Sequence, residues 1–218
     1  MVTHEEQVEY DGVSARIRTP ENPAGLTFVA PGALVSMDDD LIQSIEEACI
    51  EKGRIVVVAD LGQTPHTSDI PSSRGNFIES FRQVVDGYLE NSDYTGEQFE
   101  LIGHSMGGAA ALSVASEYPV SAVTVLDPMA AEYDVLQDIE CPVNVIISDV
   151  RSYRNPGKRM FNELSGYNNQ HALHEVKTSK DMPGGHVFEG QEGEVAQIIR
   201  DYRAPNDLDT SPDLGEPG

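Results

Sequence analysis

Basic residues are scarce in this sequence. Lysine and arginine together number 14, against 37 aspartate and glutamate residues, so the formal net charge is -23 at pH 7. Nucleic acids and anionic membrane surfaces repel a protein of this charge, because they are negatively charged themselves. We therefore expect neither of them as a partner.

Long hydrophobic runs and cysteines are also few. No stretch approaches the roughly 18 consecutive apolar residues that a membrane-spanning helix needs. The first residues, MVTHEEQVEYDG, lack the basic start and the apolar segment of a signal peptide. Cys49 falls in a helical pattern and Cys141 just before a strand, so we expect two buried thiols rather than a disulfide. These absences predict a cytoplasmic protein without membrane attachment.

The length and the C-terminal composition predict the domain organisation. A chain of 218 residues suffices for one domain with a single core, which we place at residues 1–203. Residues 204–218, APNDLDTSPDLGEPG, are rich in proline, glycine and acid and predict a disordered tail. Self-repulsion at this charge destabilises a compact chain, and salt relieves it by screening. The acidic, lysine-poor composition is similar to that of proteins from extreme halophiles, with an ordinary acidic protein as the alternative.

Apolar runs bounded by glycine and proline alternate with segments of helical periodicity through most of the chain. This alternation is typical of an α/β fold, in which helices cover both faces of a mainly parallel sheet. The first two strands flank Asp11-Gly12, a strong hairpin signal. The predicted strands are Gln7–Tyr10, Val13–Arg18, Leu26–Ala30, Ile55–Ala59, Phe99–Ile102, Ala122–Leu126, Val143–Ile147 and Ala172–Lys177. The predicted helices are Asp39–Lys52, Asn76–Asn91, Met106–Glu117, Gly157–Leu164 and Glu192–Tyr202.

One junction between a strand and a helix carries a candidate nucleophile. In FELIGHSMGGAAAL, Phe99–Leu112, an apolar run ends at the pentapeptide GHSMG and continues as an alanine-rich helical pattern. This is the nucleophile elbow G-x-S-x-G, in which small flanking residues let the two backbones cross and the turn exposes the serine hydroxyl. The N–H groups at the start of the helix also face a developing oxyanion. Ser105 is therefore the predicted nucleophile.

With this GHSMGG motif, the sequence resembles the α/β-hydrolase family from Val8 to Tyr202. The resemblance implies a mostly parallel, eight-stranded sheet with helices on both faces. It also implies that the second oxyanion donor follows the third strand, so that the backbone N–H groups of Ala33 and Met106 form the oxyanion hole. In this family the catalytic histidine follows the last strand, and the Gly-Gly-His loop there makes His186 the expected general base.

Two aspartates are candidates for the acid of the triad. In the commoner family pattern the acid follows the seventh strand, but alignment on the Cys-Pro-Val segment at 141–143 puts Arg151 in that slot. Asp149 lies two residues earlier, whereas Asp127 ends the preceding strand, a place used by some thioesterases and chlorophyllase-like members. Triads tolerate different chain positions, and we favour Asp127 with Asp149 as the alternative. The aspartate outside the triad is expected to cap a following helix.

Together these residues predict acyl transfer through a covalent acyl-enzyme that water then hydrolyses. The expected activity is hydrolysis of small-molecule carboxylic esters or thioesters, with neither a metal nor a cofactor. Residues 128–141 have room for about one short helix, so no cap domain is expected over the cleft. The expected substrate contacts are Leu34, Met106 and Met129, with His66 at the border. A C–C hydrolase or perhydrolase, or a catalytically silent binding protein of this fold, are the alternative interpretations.

Overall fold

The computed structural model describes residues 2–33, 35–62, 70–94, 99–129, 133–167, 170–180 and 184–202. The strands are β1 (Val2–Tyr10), β2 (Val13–Pro20), β3 (Gly25–Ala30), β4 (Arg54–Ala59), β5 (Phe99–His104), β6 (Val120–Leu126), β7 (Val143–Ser148) and β8 (Ala172–Val176). The helices are α1 (Asp40–Glu51), α2 (Ile70–Asn91), α3 (Met106–Ala115), α4 (Tyr133–Leu136), α5 (Arg151–Tyr167) and α6 (Glu192–Asp201).

The strands form one eight-stranded sheet in the order β1-β2-β4-β3-β5-β6-β7-β8. Strand β2 is antiparallel to both β1 and β4, whereas every pairing from β4 through to β8 is parallel. At the turn between β1 and β2, Asp11 and Gly12 have φ of 49° and 86°, as a two-residue hairpin turn requires. The predicted mostly parallel sheet and its opening hairpin are therefore confirmed.

Helices cover both faces of the sheet, because alternate strand residues point into two separate cores. On one face, α1 and α6 pack on strand residues such as Val29 and Val56 through Ile42, Ile45 and Val195. On the other face, α2, α3, α4 and α5 contribute to a second core over the middle of the sheet. Each large apolar side chain buried in this way stabilises the fold by about 1.5–3 kcal/mol. The sheet is thus packed between helices on both faces. The end of the sheet at which its parallel strands finish is called the carboxyl edge below.

Two elements begin earlier in the chain than their sequence patterns predict. Strand β1 starts at Val2 rather than Gln7, since it is an edge strand whose exposed polar side chains hide the apolar alternation while its ladder to β2 continues. Helix α2 starts at Ile70 rather than Asn76. Its first residues include proline, serine and glycine, whose low helix propensity hides the start of the helix.

Helix α5 also starts early, and this difference bears on the candidate active site. It begins at Arg151, directly after β7, rather than at Gly157. Pro156 lies inside it, although proline usually marks the first turn of a helix because it lacks a backbone N–H. The extra residues place the start of α5 at the carboxyl edge of the sheet.

Some predicted features lie outside the described residues, namely Leu34, His66 and the tail 204–218. Between β6 and β7, the described residues contain only the short helix α4 and turns, and no cap domain is evident there. Across the described ranges, no helix combines the length and apolar character needed to cross a membrane.

Candidate active site

Ser105 lies at the turn between β5 and α3, at the carboxyl edge of the sheet. Its backbone has φ of 54° and ψ of -114°, a conformation that costs a residue with a side chain about 1–3 kcal/mol. The Ser105 N–H donates to the carbonyl oxygen of Leu126 at 2.8 Å, and the Ser105 carbonyl accepts from Gly108 N–H (3.1 Å) and Met129 N–H (3.2 Å). These hydrogen bonds hold a strained serine at the position predicted for the nucleophile.

The glycines on either side of Ser105 are required by the close approach of three backbones. A Cβ atom on Gly107 would overlap the carbonyl oxygen of Ala30, at the end of β3. A Cβ atom on Gly103 would overlap the carbonyl oxygen of Gly107. Helix α3 therefore starts directly against the ends of β3 and β5, which is possible only with glycine at both positions.

The predicted oxyanion-hole residues lie on two segments that meet at Ser105. The loop after β3 packs on the elbow so closely that a Cβ on Gly32 would be 3.0 Å from the Cβ of Ser105. Met106 is the first residue of α3, where the helix dipole is positive. Within the described residues, neither Ala33 N–H nor Met106 N–H donates to a backbone carbonyl. As far as the described residues show, this leaves the predicted role of the two N–H groups in an oxyanion hole open to both.

An apolar cluster borders this pair of N–H groups. The side chains of Ala33, Phe77 and Met106 are buried together, and Leu61 and Met129 are partly buried against them. Met129 is among the substrate contacts predicted from the sequence, whereas Leu61 and Phe77 belong to no motif and gave no signal. The cluster offers an apolar wall beside Ser105.

His186 and Asp127 meet at the same edge of the sheet. His186 Nδ1 lies 3.3 Å from Asp127 Oδ2, and the two residues are 4% and 0% exposed. Ser148, the last residue of β7, donates to this carboxylate from its N–H (2.7 Å to Oδ1) and from its hydroxyl (2.5 Å to Oδ2). A buried carboxylate is tolerated only with such partners. Ser148 therefore fixes Asp127 in the orientation that faces His186.

Asp149, the alternative acid, contacts other groups. It is exposed and accepts hydrogen bonds from the N–H and the hydroxyl of Thr178, both at 3.0 Å. The Thr178 N–H is the main reason that the pKa of Asp149 is lowered. In the part of the chain that the structure describes, no hydrogen bond joins Asp149 to His186. The geometry thus favours Asp127 as the partner of the histidine.

Two rings contact the ring of His186. Tyr153, in the first turn of α5, is stacked on it with ring centroids 3.7 Å apart and an interplanar angle of 6°. His104, directly before Ser105, lies at 4.7 Å and 38°, and its Nε2 is 2.9 Å from the His186 carbonyl oxygen. A carbonyl oxygen only accepts, so this nitrogen carries the proton. Burial, aided by the neighbouring His186, lowers the pKa of His104 to about 3, so this ring stays neutral.

Sequence reasoning missed three of these contacts. It left Ser148 unassigned, although a residue that ends β7 lies beside the end of β6 in a parallel sheet, and this signal could have found it. It gave no role to His104 within the GHSMG motif, whereas the structure shows its contacts with His186. It gave no role to Tyr153, because α5 was predicted to begin after that residue.

No group of three or more histidine, cysteine, aspartate or glutamate side chains is placed to hold a metal ion among the described residues. His171 and His174, which the sequence places three apart at the last strand, belong to no such group among the described residues. His171 Nδ1 accepts the N–H of Val143 at 3.0 Å, and burial lowers the pKa of both histidines.

Comparison with known proteins places this site in a known fold. No family model matches the sequence, and no curated protein matches it either. A dienelactone hydrolase from Anabaena variabilis is similar in structure, with a TM-score of 0.72 and 18% identity over 93% of this chain and 96% of that chain. A putative α/β hydrolase from Agrobacterium tumefaciens has a TM-score of 0.75 and 10% identity over 91% and 94%. The thioesterase domain from the curacin biosynthetic pathway has a TM-score of 0.61 and 13% identity, over 91% of this chain and 99% of that domain. The chain therefore has the α/β-hydrolase fold.

Proposed function

We propose that this chain, with its α/β-hydrolase fold, is a serine hydrolase that cleaves carboxylic ester or thioester bonds. One observation carries the proposal: a serine in a strained backbone conformation lies at the same sheet edge as a buried histidine paired with a buried aspartate. Strained backbone and buried ionisable groups are costly, and both are concentrated at functional sites.

In the proposed mechanism, Ser105 Oγ attacks the carbonyl carbon of the substrate while His186 Nε2 takes the hydroxyl proton. Asp127 keeps Nδ1–H oriented and stabilises the imidazolium that forms. The N–H groups of Ala33 and Met106 stabilise the oxyanion of the tetrahedral intermediate. His186 then returns the proton to the leaving alcohol or thiol, which leaves an acyl-enzyme. Water, deprotonated by the same histidine, hydrolyses it and regenerates the serine.

The substrate class follows from the surroundings of Ser105. The cluster of Ala33, Leu61, Phe77, Met106 and Met129 supports an apolar acyl group beside the oxyanion hole. The structures that the chain resembles include a dienelactone hydrolase and a thioesterase domain, which act on esters and thioesters by their names. We infer a small-molecule ester or thioester as the substrate and, from the charge of -23, no role for nucleic acid.

A fluorophosphonate probe tests the nucleophile directly. We expect one probe per chain on Ser105, and we expect Ser105→Ala to abolish both labelling and hydrolysis of p-nitrophenyl esters and acyl thioesters of graded chain length. Ser113→Ala, on the same helix α3 but away from the turn, is the matched control and should behave as the wild type.

The outcomes separate the alternative functions. Labelling at another serine, or full activity of Ser105→Ala, would refute the assignment. Labelling of Ser105 without hydrolysis of any ester or thioester would point to a C–C hydrolase or perhydrolase. A folded protein that the probe does not label would be a binding protein with this fold.

A further inference from the structure

The stacking of Tyr153 on His186 is not required by the proposed triad itself. The two rings are nearly parallel and 3.7 Å apart, the separation of direct contact between flat surfaces. His186 is almost fully buried, and Tyr153 is partly exposed. The tyrosine therefore covers one face of the histidine ring.

The local sequence explains why a tyrosine reaches this position. Strand β7 ends at Ser148, and α5 begins at Arg151, so that Tyr153 is the third residue of the helix. Its N–H donates to the carbonyl of Val150 at 3.0 Å, which fixes the first turn against the end of the strand. Val150 also packs on the loop that carries the histidine, since a Cβ on Gly185 would come within contact of its side chain. The helix start and the histidine loop are thus held together.

From this geometry we propose that Tyr153 is a positioning residue for His186: its ring fixes the plane of the imidazole, and its π face stabilises the imidazolium. The proposal rests on the proposed function, in which His186 cycles between its neutral and its protonated form. A cation over the face of a tyrosine ring is attracted by the ring quadrupole, most strongly where water is excluded. The ring plane matters equally, because rotation would take Nδ1 away from Asp127.

The charged and titratable groups around His186 are compatible with this role. Asp127, from the end of β6, is the acceptor for Nδ1. His104, from the end of β5, is held neutral because burial depresses its pKa to about 3, and so it does not add a second positive charge. Burial, and secondarily Asp127, raise the pKa of Tyr153, so the tyrosine also stays neutral. On the histidine loop, Lys180 and Glu189 form an exposed ion pair that neutralises itself.

The test compares Tyr153→Phe, which keeps the ring, with Tyr153→Leu, which keeps an apolar side chain without a π face. Histidine ring resonances are followed by NMR from pH 4 to 9 in protein labelled at histidine. The resonance of His186 is identified as the one that is missing from the spectrum of His186→Asn. We expect the titration midpoint of His186 to be unchanged in Tyr153→Phe and about half a unit to one unit lower in Tyr153→Leu. Tyr153→Met serves if the leucine variant does not fold.

Hydrolysis of a p-nitrophenyl ester provides the second readout. We expect Tyr153→Leu to lower kcat by about 10- to 100-fold with little change in KM, since a misplaced base slows the chemistry rather than binding. Tyr153→Phe, which keeps the aromatic ring, should have the same kcat as the wild type. An unchanged midpoint or an unchanged kcat in both the leucine and the methionine variants would overturn the proposal. If the wild type hydrolyses nothing, the proposed function fails, while the NMR midpoints still decide whether Tyr153 stabilises the imidazolium.

Discussion

At the scale of single residues, two of the four described non-glycine residues with a positive φ are candidate catalytic residues. Ser105 has φ of 54° and Asp127 has φ of 39°, and they follow directly after the neighbouring strands β5 and β6. Each conformation costs about 1–3 kcal/mol, yet each is held by neighbouring strands. The Asp127 N–H donates to the carbonyl oxygen of Ile146 at 2.8 Å, and the Ser105 N–H donates to that of Leu126 at the same distance. The fold thus holds strain at two of the three residues that the proposed triad comprises.

The assignment of the acid can be tested by two amide substitutions. We expect Asp127→Asn to lower kcat severely, on the order of 10⁴-fold, because an amide does not stabilise the imidazolium and favours the wrong tautomer of His186. Asp149→Asn should leave kcat close to the wild-type value, since Asp149 is exposed and contacts Thr178. The measurement is kcat for both variants at several pH values, after melting curves show that each is folded.

The reverse result would move the acid to the end of β7. An inactive Asp149→Asn with an active Asp127→Asn means that the structural pairing of Asp127 with His186 is not the catalytic one. Similar activity in both variants would mean that another group supports the histidine.

At the scale of elements, the crossing of α3 over β3 and β5 decides the shape of the site. We expect Gly107→Ala to destabilise the protein by more than about 3 kcal/mol, because the new methyl group overlaps the backbone of Ala30 and not a movable side chain. Gly193→Ala is the matched control. Gly193 is exposed in the first turn of α6 with no atom near its Cβ position, so alanine should stabilise by up to about 1 kcal/mol.

Urea denaturation of the three proteins measures both effects. The expected pattern is a Gly107→Ala variant that unfolds at a much lower urea concentration than the wild type, or does not fold at all. The Gly193→Ala variant should be at least as stable as the wild type. A Gly107→Ala variant with wild-type stability would show that the backbones at the elbow separate easily. The close packing of α3 against β3 would then not fix the position of the Met106 N–H.

The elements also show what the sequence could predict. The elbow and most of the strands followed from local patterns, because buried parallel strands and glycine-flanked turns leave strong signals. The choice between Asp127 and Asp149 stayed open, because both follow strands that end at the same edge. Tyr153 could not be found at all, since its contact depends on where α5 starts and how the histidine loop folds back, and neither is local information.

At the scale of the whole molecule, the charge of -23 is the dominant feature. Several cations are already engaged in ion pairs, as Arg16 is with Glu46 and Asp38, so fewer basic side chains remain to neutralise the excess acid. Salt weakens such attractive pairs as well as the repulsion among carboxylates. With 37 acidic against 14 basic residues, we expect the repulsion among carboxylates to exceed the attraction within ion pairs, and screening should then stabilise the fold.

We therefore expect the melting temperature to rise as NaCl is increased from 0.05 M to about 2 M, over which the Debye length falls from above 10 Å to about 3 Å or less. The steepest rise should come below about 0.5 M, because most of the screening is complete there. Sucrose is the control: it stabilises by exclusion from the protein surface without screening charge, so it should give a gradual rise without this early step. A melting temperature that is flat or falls with salt would mean that the ion pairs outweigh the repulsion, and the similarity of the composition to that of halophilic proteins would then have no consequence for stability.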